Sequence, residues 1–242
     1  MSMFSNIFKS ERIAIRRFLY RITAAAKWLT VRKIVREINS SGEITDEQAE
    51  RMSSKVRQLE LNGLTSITDK QAESLSKRDD LWLEDSRITD EHQLELNGLT
   101  SITDKQAESL SEVEDLHLNG LTSITDKQAE SLSEVGELYL NGLTSITDKQ
   151  AESLSKVWWL HLNGLTSITD EQADSLSEVK DLYLNGLTSI TDEQADSLSK
   201  VEWLYLNGLT TITDKQAESL SKVEDLFISE ACRKLIDKYR KQ

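Results

Sequence analysis

The chain has 242 residues with 29 Lys/Arg against 42 Asp/Glu, a formal net charge of −13, no proline and nine glycines. A chain without proline has no Pro-rich linker and little room for long disordered segments. The only cysteine, Cys232, cannot form an intrachain disulfide and reads as a small buried apolar residue, which fits a cytoplasmic setting. No window approaches the roughly 18 consecutive apolar residues of a membrane span.

Charge is unevenly placed. Residues 1–38 hold nine Lys/Arg and two Asp/Glu, which leaves 20 basic and 40 acidic residues in 39–242. An acidic field over the body of the chain repels phosphates, so nucleic acid is excluded as a partner. The basic head is expected to be an amphipathic helix. Ile7, Phe8, Ile15, Phe18, Leu19, Ile22, Ala26 and Leu29 share one face, while Lys9, Arg12, Arg16, Arg17, Arg21 and Lys27 share the other. The phase slips near Trp28–Thr30, after which Val31, Ile34, Val35 and Ile38 define a second, shorter element. Residues 1–40 are therefore read as an N-terminal segment and cap. Lys9, Arg12, Arg16, Arg17, Phe18 and Arg21 are its candidate contacts to an anionic membrane surface or a partner, giving peripheral membrane association through residues 1–29. A cap laid on the first repeat is the leading reading of this helix, and the membrane or partner contact and self-association into a homo-oligomer are its alternatives.

From residue 41 onward the chain repeats. Asn97, Asn119, Asn141, Asn163, Asn185 and Asn207 each open Asn-Gly-Leu-Thr at intervals of 22 residues. A degenerate copy ends in Ile44 to Met52 and another begins near Val56. In the copy starting at Val157, Leu160-His161-Leu162 alternates as a short strand, and Asn163-Gly164 is a turn. Thr169 and Gln172 have the spacing of a helix capping box, and Ala173 and Leu176 share one face of about two helical turns. So short a helix is marginal alone. Val157, Leu160, Leu162, Leu165, Ile168, Ala173 and Leu176 form a core layer only when the next copy covers them.

Leu-x-Leu, a loop, then Ile-Thr-Asp and a short helix resembles the cysteine-containing class of leucine-rich repeats, best known from F-box substrate adaptors. The resemblance covers roughly residues 43–228. It implies an α/β solenoid with a curved parallel sheet on the concave face, short helices on the convex face, and macromolecular recognition. Two features depart from the class. The unit is shorter, and the inward Cys or Asn position is Leu (Leu121, Leu143, Leu165, Leu187), an apolar side chain in place of a buried polar ladder. Residues 1–42 contain nothing like an F-box, so no ubiquitin-ligase role is carried over.

One unit is shortened. Residues 81–93 keep a strand-like Leu81-Trp82-Leu83 and an Ile-Thr-Asp but lack the helix. This predicts a strand at Leu81–Leu83 followed by a deletion tolerated on the convex side, with a hinge or docking notch as the alternative. At the far end, Asp225–Ile228 reads as a last strand and residues 229–242 as a capping helix, with Cys232, Leu235, Ile236 and Tyr239 at helical spacing.

The copies differ mainly in their strands. Helix positions swap Lys105 for Glu171 or Glu152 for Asp174, whereas the outward strand position runs Glu60, Trp82, Glu95, His117, Tyr139, His161, Tyr183, Tyr205, Phe227. The position two residues before it includes Asp115, Glu137, Trp159, Asp181, Trp203 and Asp225. Aromatics facing out of a sheet among carboxylates have the composition of a recognition surface. The expected binding residues are therefore Trp82, His117, Tyr139, Trp159, His161, Tyr183, Trp203, Tyr205 and Phe227. The expected function is a non-catalytic scaffold that binds a protein or basic peptide. Carbohydrate binding by the same aromatics, and a self-assembling structural role, are the alternatives. No catalytic triad spacing or Gly-rich phosphate loop occurs, no cofactor is implied, and His117 and His161 stand two strands apart, too far to share one metal ion.

Overall fold

The computed structural model describes residues 31–53, 58–77 and 92–240. Residues 31–41 are helical (α1), followed by α2 (Asp46–Ser53), β1 (Gln58–Glu60), α3 (Asp69–Ser76), β2 (Gln93–Glu95), α4 (Asp104–Leu110), β3 (Asp115–His117), α5 (Asp126–Leu132) and β4 (Glu137–Tyr139). Then come α6 (Asp148–Leu154), β5 (Trp159–His161), α7 (Asp170–Leu176), β6 (Asp181–Tyr183), α8 (Asp192–Leu198), β7 (Trp203–Leu206), α9 (Asp214–Leu220), β8 (Asp225–Ile228) and α10 (Glu230–Arg240). The strands form one open, eight-stranded parallel sheet in sequence order. This is a leucine-rich-repeat solenoid. Strands pack about 4.8 Å apart and helices about 8–10 Å apart, so the stack bends with its sheet on the inner side.

Each layer closes as the apolar pattern requires. Leu160, Leu162, Leu165, Ala173 and Leu176 are fully buried, and Val157 and Ile168 nearly so. Each described helix from α3 to α9 starts with a complete capping box. In α7, Gln172 N donates to Thr169 Oγ1 at 3.0 Å and Thr169 N donates to Gln172 Oε1 at 3.0 Å. Because every repeat is in register with the next, polar side chains also recur as ladders, and three of these tie neighbouring repeats together.

The first ladder is the asparagine of the Asn-Gly turn. Oδ1 of Asn141 accepts from the backbone N of Asn163 at 2.9 Å and from its Nδ2 at 2.8 Å, and Asn163 does the same for Asn185. A polar ladder is thus present, two residues before the Leu165 position at which the sequence pattern lacks one. The second uses the capping glutamine, whose Nε2 donates to the Ile carbonyl of the preceding repeat, as from Gln150 to Ile124 at 2.8 Å. The third joins the cap threonine to the Asp of the preceding Ile-Thr-Asp, as Thr147 Oγ1 to Asp126 Oδ1 at 3.1 Å. That Asp therefore binds repeat to repeat as well as standing at a helix start.

At the N-terminal end, Asn39 in α1 substitutes for a missing repeat. Its Nδ2 donates to Glu60 O at 3.0 Å and its Oδ1 accepts from Gly63 N at 2.8 Å. Val31 and Ile38 of α1 are buried. At the other end Cys232 and Ile236 of α10 are buried against the last layer, and Lys238 and Tyr239 both bond Asp214.

Gln58, Leu59 and Glu60 of β1 pair directly with Gln93, Leu94 and Glu95 of β2. The expected strand at Leu81–Leu83 falls in the segment that connects these two strands. Residues 78–91, and Trp82 with them, lie outside the described residues.

Candidate functional site: the outward face of the sheet

Parallel in-register pairing puts equivalent side chains about 4.8 Å apart along the solenoid. On the outward face this creates two rows. The first is a continuous stack of rings. His117, Tyr139, His161, Tyr183, Tyr205 and Phe227 lie face to face in that order, with centroid separations of 3.7–4.2 Å and interplanar angles of 3–21°. Tyr139, His161, Tyr183 and Tyr205 each have both faces covered, so only ring edges meet solvent; His161 is buried. The rings point out of the core, yet they support one another. They also deny a sugar ring the faces on which it would stack.

The second row is Asp115, Glu137, Trp159, Asp181, Trp203 and Asp225, each in register with the next. Its carboxylates interact with the rings. Asp115 meets His117 Nε2 at 3.0 Å. Glu137 accepts from the Tyr139 hydroxyl and lies 3.3 Å from His161 Nε2. The His161 contact is the main reason that Glu137 titrates below the usual carboxylate range. Burial, and then hydrogen bonding, push the Tyr139 and Tyr183 hydroxyls well above the usual phenol range, so both stay neutral hydroxyls. Burial is also the main cause that raises Asp181.

Among the described residues, the exposed large apolar side chains are Trp158 (58%), Trp159 (38%) and Phe227 (36%). Trp158 and Trp159 are adjacent, with centroids 5.7 Å apart and planes tilted by 38°. Lys180 Nζ sits 5.5 Å over the Trp158 ring and 3.9 Å from Glu202.

Of the expected binding residues, His117, Tyr139, Trp159, His161, Tyr183, Trp203, Tyr205 and Phe227 come together on one face, and Trp82 falls outside the described residues. Trp158 joins them although it precedes its strand. Lys9, Arg12, Arg16, Arg17, Phe18 and Arg21 also lie outside the described residues. Tyr139 stands between His117 and His161 in the stack. Among the described residues, no group of three or more His, Cys, Asp or Glu side chains could hold a metal ion. No described helix is long and apolar enough to cross a membrane.

No family model matches the chain. No curated protein matches it either. Among solved structures it is similar to an internalin (InlF) from Listeria monocytogenes, with 16% sequence identity and a TM-score of 0.45. The match covers 82% of this chain and 60% of the internalin chain, so this chain spans less than two thirds of that protein. The solenoid architecture rests on the strand register and the ladders described above.

Proposed function

We propose that this protein is a non-catalytic recognition scaffold that binds a folded protein or a basic peptide on the outward face of its sheet. The observation that carries the reading is the tryptophan pair Trp158 and Trp159, left exposed at the start of β5 among Glu137, Asp181 and Glu202. A monomeric solenoid gains nothing in stability by exposing indoles. Aromatic anchors on a fixed backbone, rimmed by charge, are what interface centres are made of. The acidic rim selects for a basic partner surface and speeds its approach.

The test is capture by the intact chain, comparing wild type with the Trp158→Ala/Trp159→Ala double variant. Truncating a central anchor commonly costs about 2 kcal/mol of binding or more. The double variant should therefore lose its partner while its thermal melt stays close to wild type. Equal capture by both proteins refutes recognition through this face.

The carbohydrate alternative has fewer free ring faces to work with than the sequence implied, because the four inner rings of the stack are covered on both sides. Placing residues 1–29 on a membrane, on a partner or on a second copy remains a separate proposal. It is tested by vesicle sedimentation of the full chain at low and high salt.

A further inference from the structure

Asp181 differs from the other carboxylates of its row. Trp159 is its register partner on β5 and Trp203 its register partner on β7, so it lies between two tryptophans. It is 8% exposed. Among the described residues, no donor hydrogen-bonds its carboxylate and no cation forms an ion pair with it. Glu137, in the same row, has such partners in the Tyr139 hydroxyl and His161. The neighbouring cation, Lys180, is engaged by the Trp158 ring and by Glu202 instead.

Burying an unpaired carboxylate costs stability, and a group kept in that condition is a candidate for a binding role. Its surroundings specify what would satisfy it. The two tryptophans stand one strand to either side, so their backbones are roughly 10 Å apart at about 4.8 Å per strand. They lean on different neighbours: Trp159 contacts Trp158, and Trp203 lies 6.5 Å from Phe227. A cation held by an aromatic face sits within about 6 Å of the ring centroid. A group entering between the two indoles thus reaches both rings and the carboxylate together. A hydrated metal ion would need several oxygen ligands, which indoles do not supply. A cation with an apolar or flat surface gains from both.

We propose that Trp159, Asp181 and Trp203 form a binding site for an organic cation, the ammonium or guanidinium end of a lysine or arginine side chain on the recognised protein. The source of the cation rests on the recognition reading above; the site itself rests on the geometry of these three residues. Glu137 and Glu202 add negative charge nearby and draw the cation toward the gap.

The experiment titrates the full chain with N-acetyl-arginine amide and N-acetyl-lysine amide at constant ionic strength, following tryptophan fluorescence. N-acetyl-norleucine amide is the uncharged control. Saturable quenching by at least one cation and none by the control is expected. Asp181→Asn, which keeps both indoles and removes the charge, should weaken it by about tenfold or more. Trp203→Ala should weaken it without unfolding the chain. Absence of saturable quenching, or an equal response from Asp181→Asn, overturns the site. Tetramethylammonium binding more than about tenfold tighter than both side-chain analogues would assign the gap to a free quaternary cation and overturn the side-chain source. The two readings fail separately. If the cations do not bind but the Trp158→Ala/Trp159→Ala variant still loses its partner, the cation site falls and recognition stands. If the cations bind but capture is indifferent to that variant, recognition falls and the site stands.

Discussion

Gln150 offers the sharpest test of what holds the repeats together. Its Oε1 accepts from Thr147 N at 2.9 Å, closing the capping box of α6, and its Nε2 donates to the Ile124 carbonyl of the preceding repeat at 2.8 Å. Gln150→Glu separates the two functions. A glutamate serves a capping box as well as a glutamine does, so a purely local role predicts no loss. The inter-repeat role predicts a large one, because a carboxylate oxygen then faces a carbonyl oxygen in a buried position. Losing the bond costs about 1 kcal/mol, and leaving a buried acceptor unsatisfied beside a charge adds about 1–3 kcal/mol. A total of about 2–4 kcal/mol follows, or roughly 5–15 °C in melting temperature for a domain of this size. Urea unfolding followed by circular dichroism is the assay, with the midpoint falling and the slope unchanged. Lys149→Glu, one residue earlier and well exposed, controls for added negative charge. The sign with pH is also determined. The introduced carboxyl has a folded pKa above its unfolded value, so its penalty is full above that folded pKa. The penalty shrinks as pH falls and is gone below about 4.3, the unfolded value, where the acid can donate to Ile124. A Gln150→Glu protein with the wild-type midpoint at neutral pH would refute an energetic role for the ladder.

Three further outcomes are expected. Leu162→Asp should unfold several repeats, because it places an unpaired charge in a layer shared with its neighbours, whereas Lys149→Glu should cost less than about 1 kcal/mol; equal melts for the two would refute the inward assignment of Leu162. Gly164→Ala should be strongly destabilising, since its Cβ would lie 2.3 Å from Asn141 O and 2.5 Å from Leu143 O, both rigid backbone atoms; Gly136→Ala meets Glu114 O at 3.1 Å and should lose much less by the same urea assay. For the carboxylates the signs are opposite. Glu137, held below its ordinary value, contributes stability above about 4.5 that is lost as pH falls through its lowered pKa, so Glu137→Gln should flatten the acid limb of the stability curve. Asp181, held above its ordinary 3.8, costs stability at neutral pH, so Asp181→Asn should raise the melting temperature at pH 7 and lose that advantage below the ordinary value.

Much of this was legible in the residues because a repeat reports its own architecture. A 22-residue period, Leu-x-Leu strands and the Thr-x-x-Gln cap are local patterns, and local patterns determine strand, turn, helix and the inward or outward sense of each side chain. One further signal was present in the sequence: in every unit with an Ala-x-x-Leu or Ala-x-x-Met helix the residue closing the cap, from Gln48 to Gln216, is glutamine (the shortened unit has His92), while neighbouring helix positions exchange Lys for Glu and Glu for Asp. A cap alone would tolerate Glu, so strict glutamine marks a position that must donate as well as accept. What no single repeat contains is its relation to the next. Only the in-register stacking of parallel strands turned outward aromatics into one column with covered faces, and turn asparagines into a ladder. It also joined β1 directly to β2 and set Asp181 between Trp159 and Trp203. Those contacts join atoms 22 or more residues apart. Distances of that kind are decided by how one layer settles on another, which the composition of a layer does not encode.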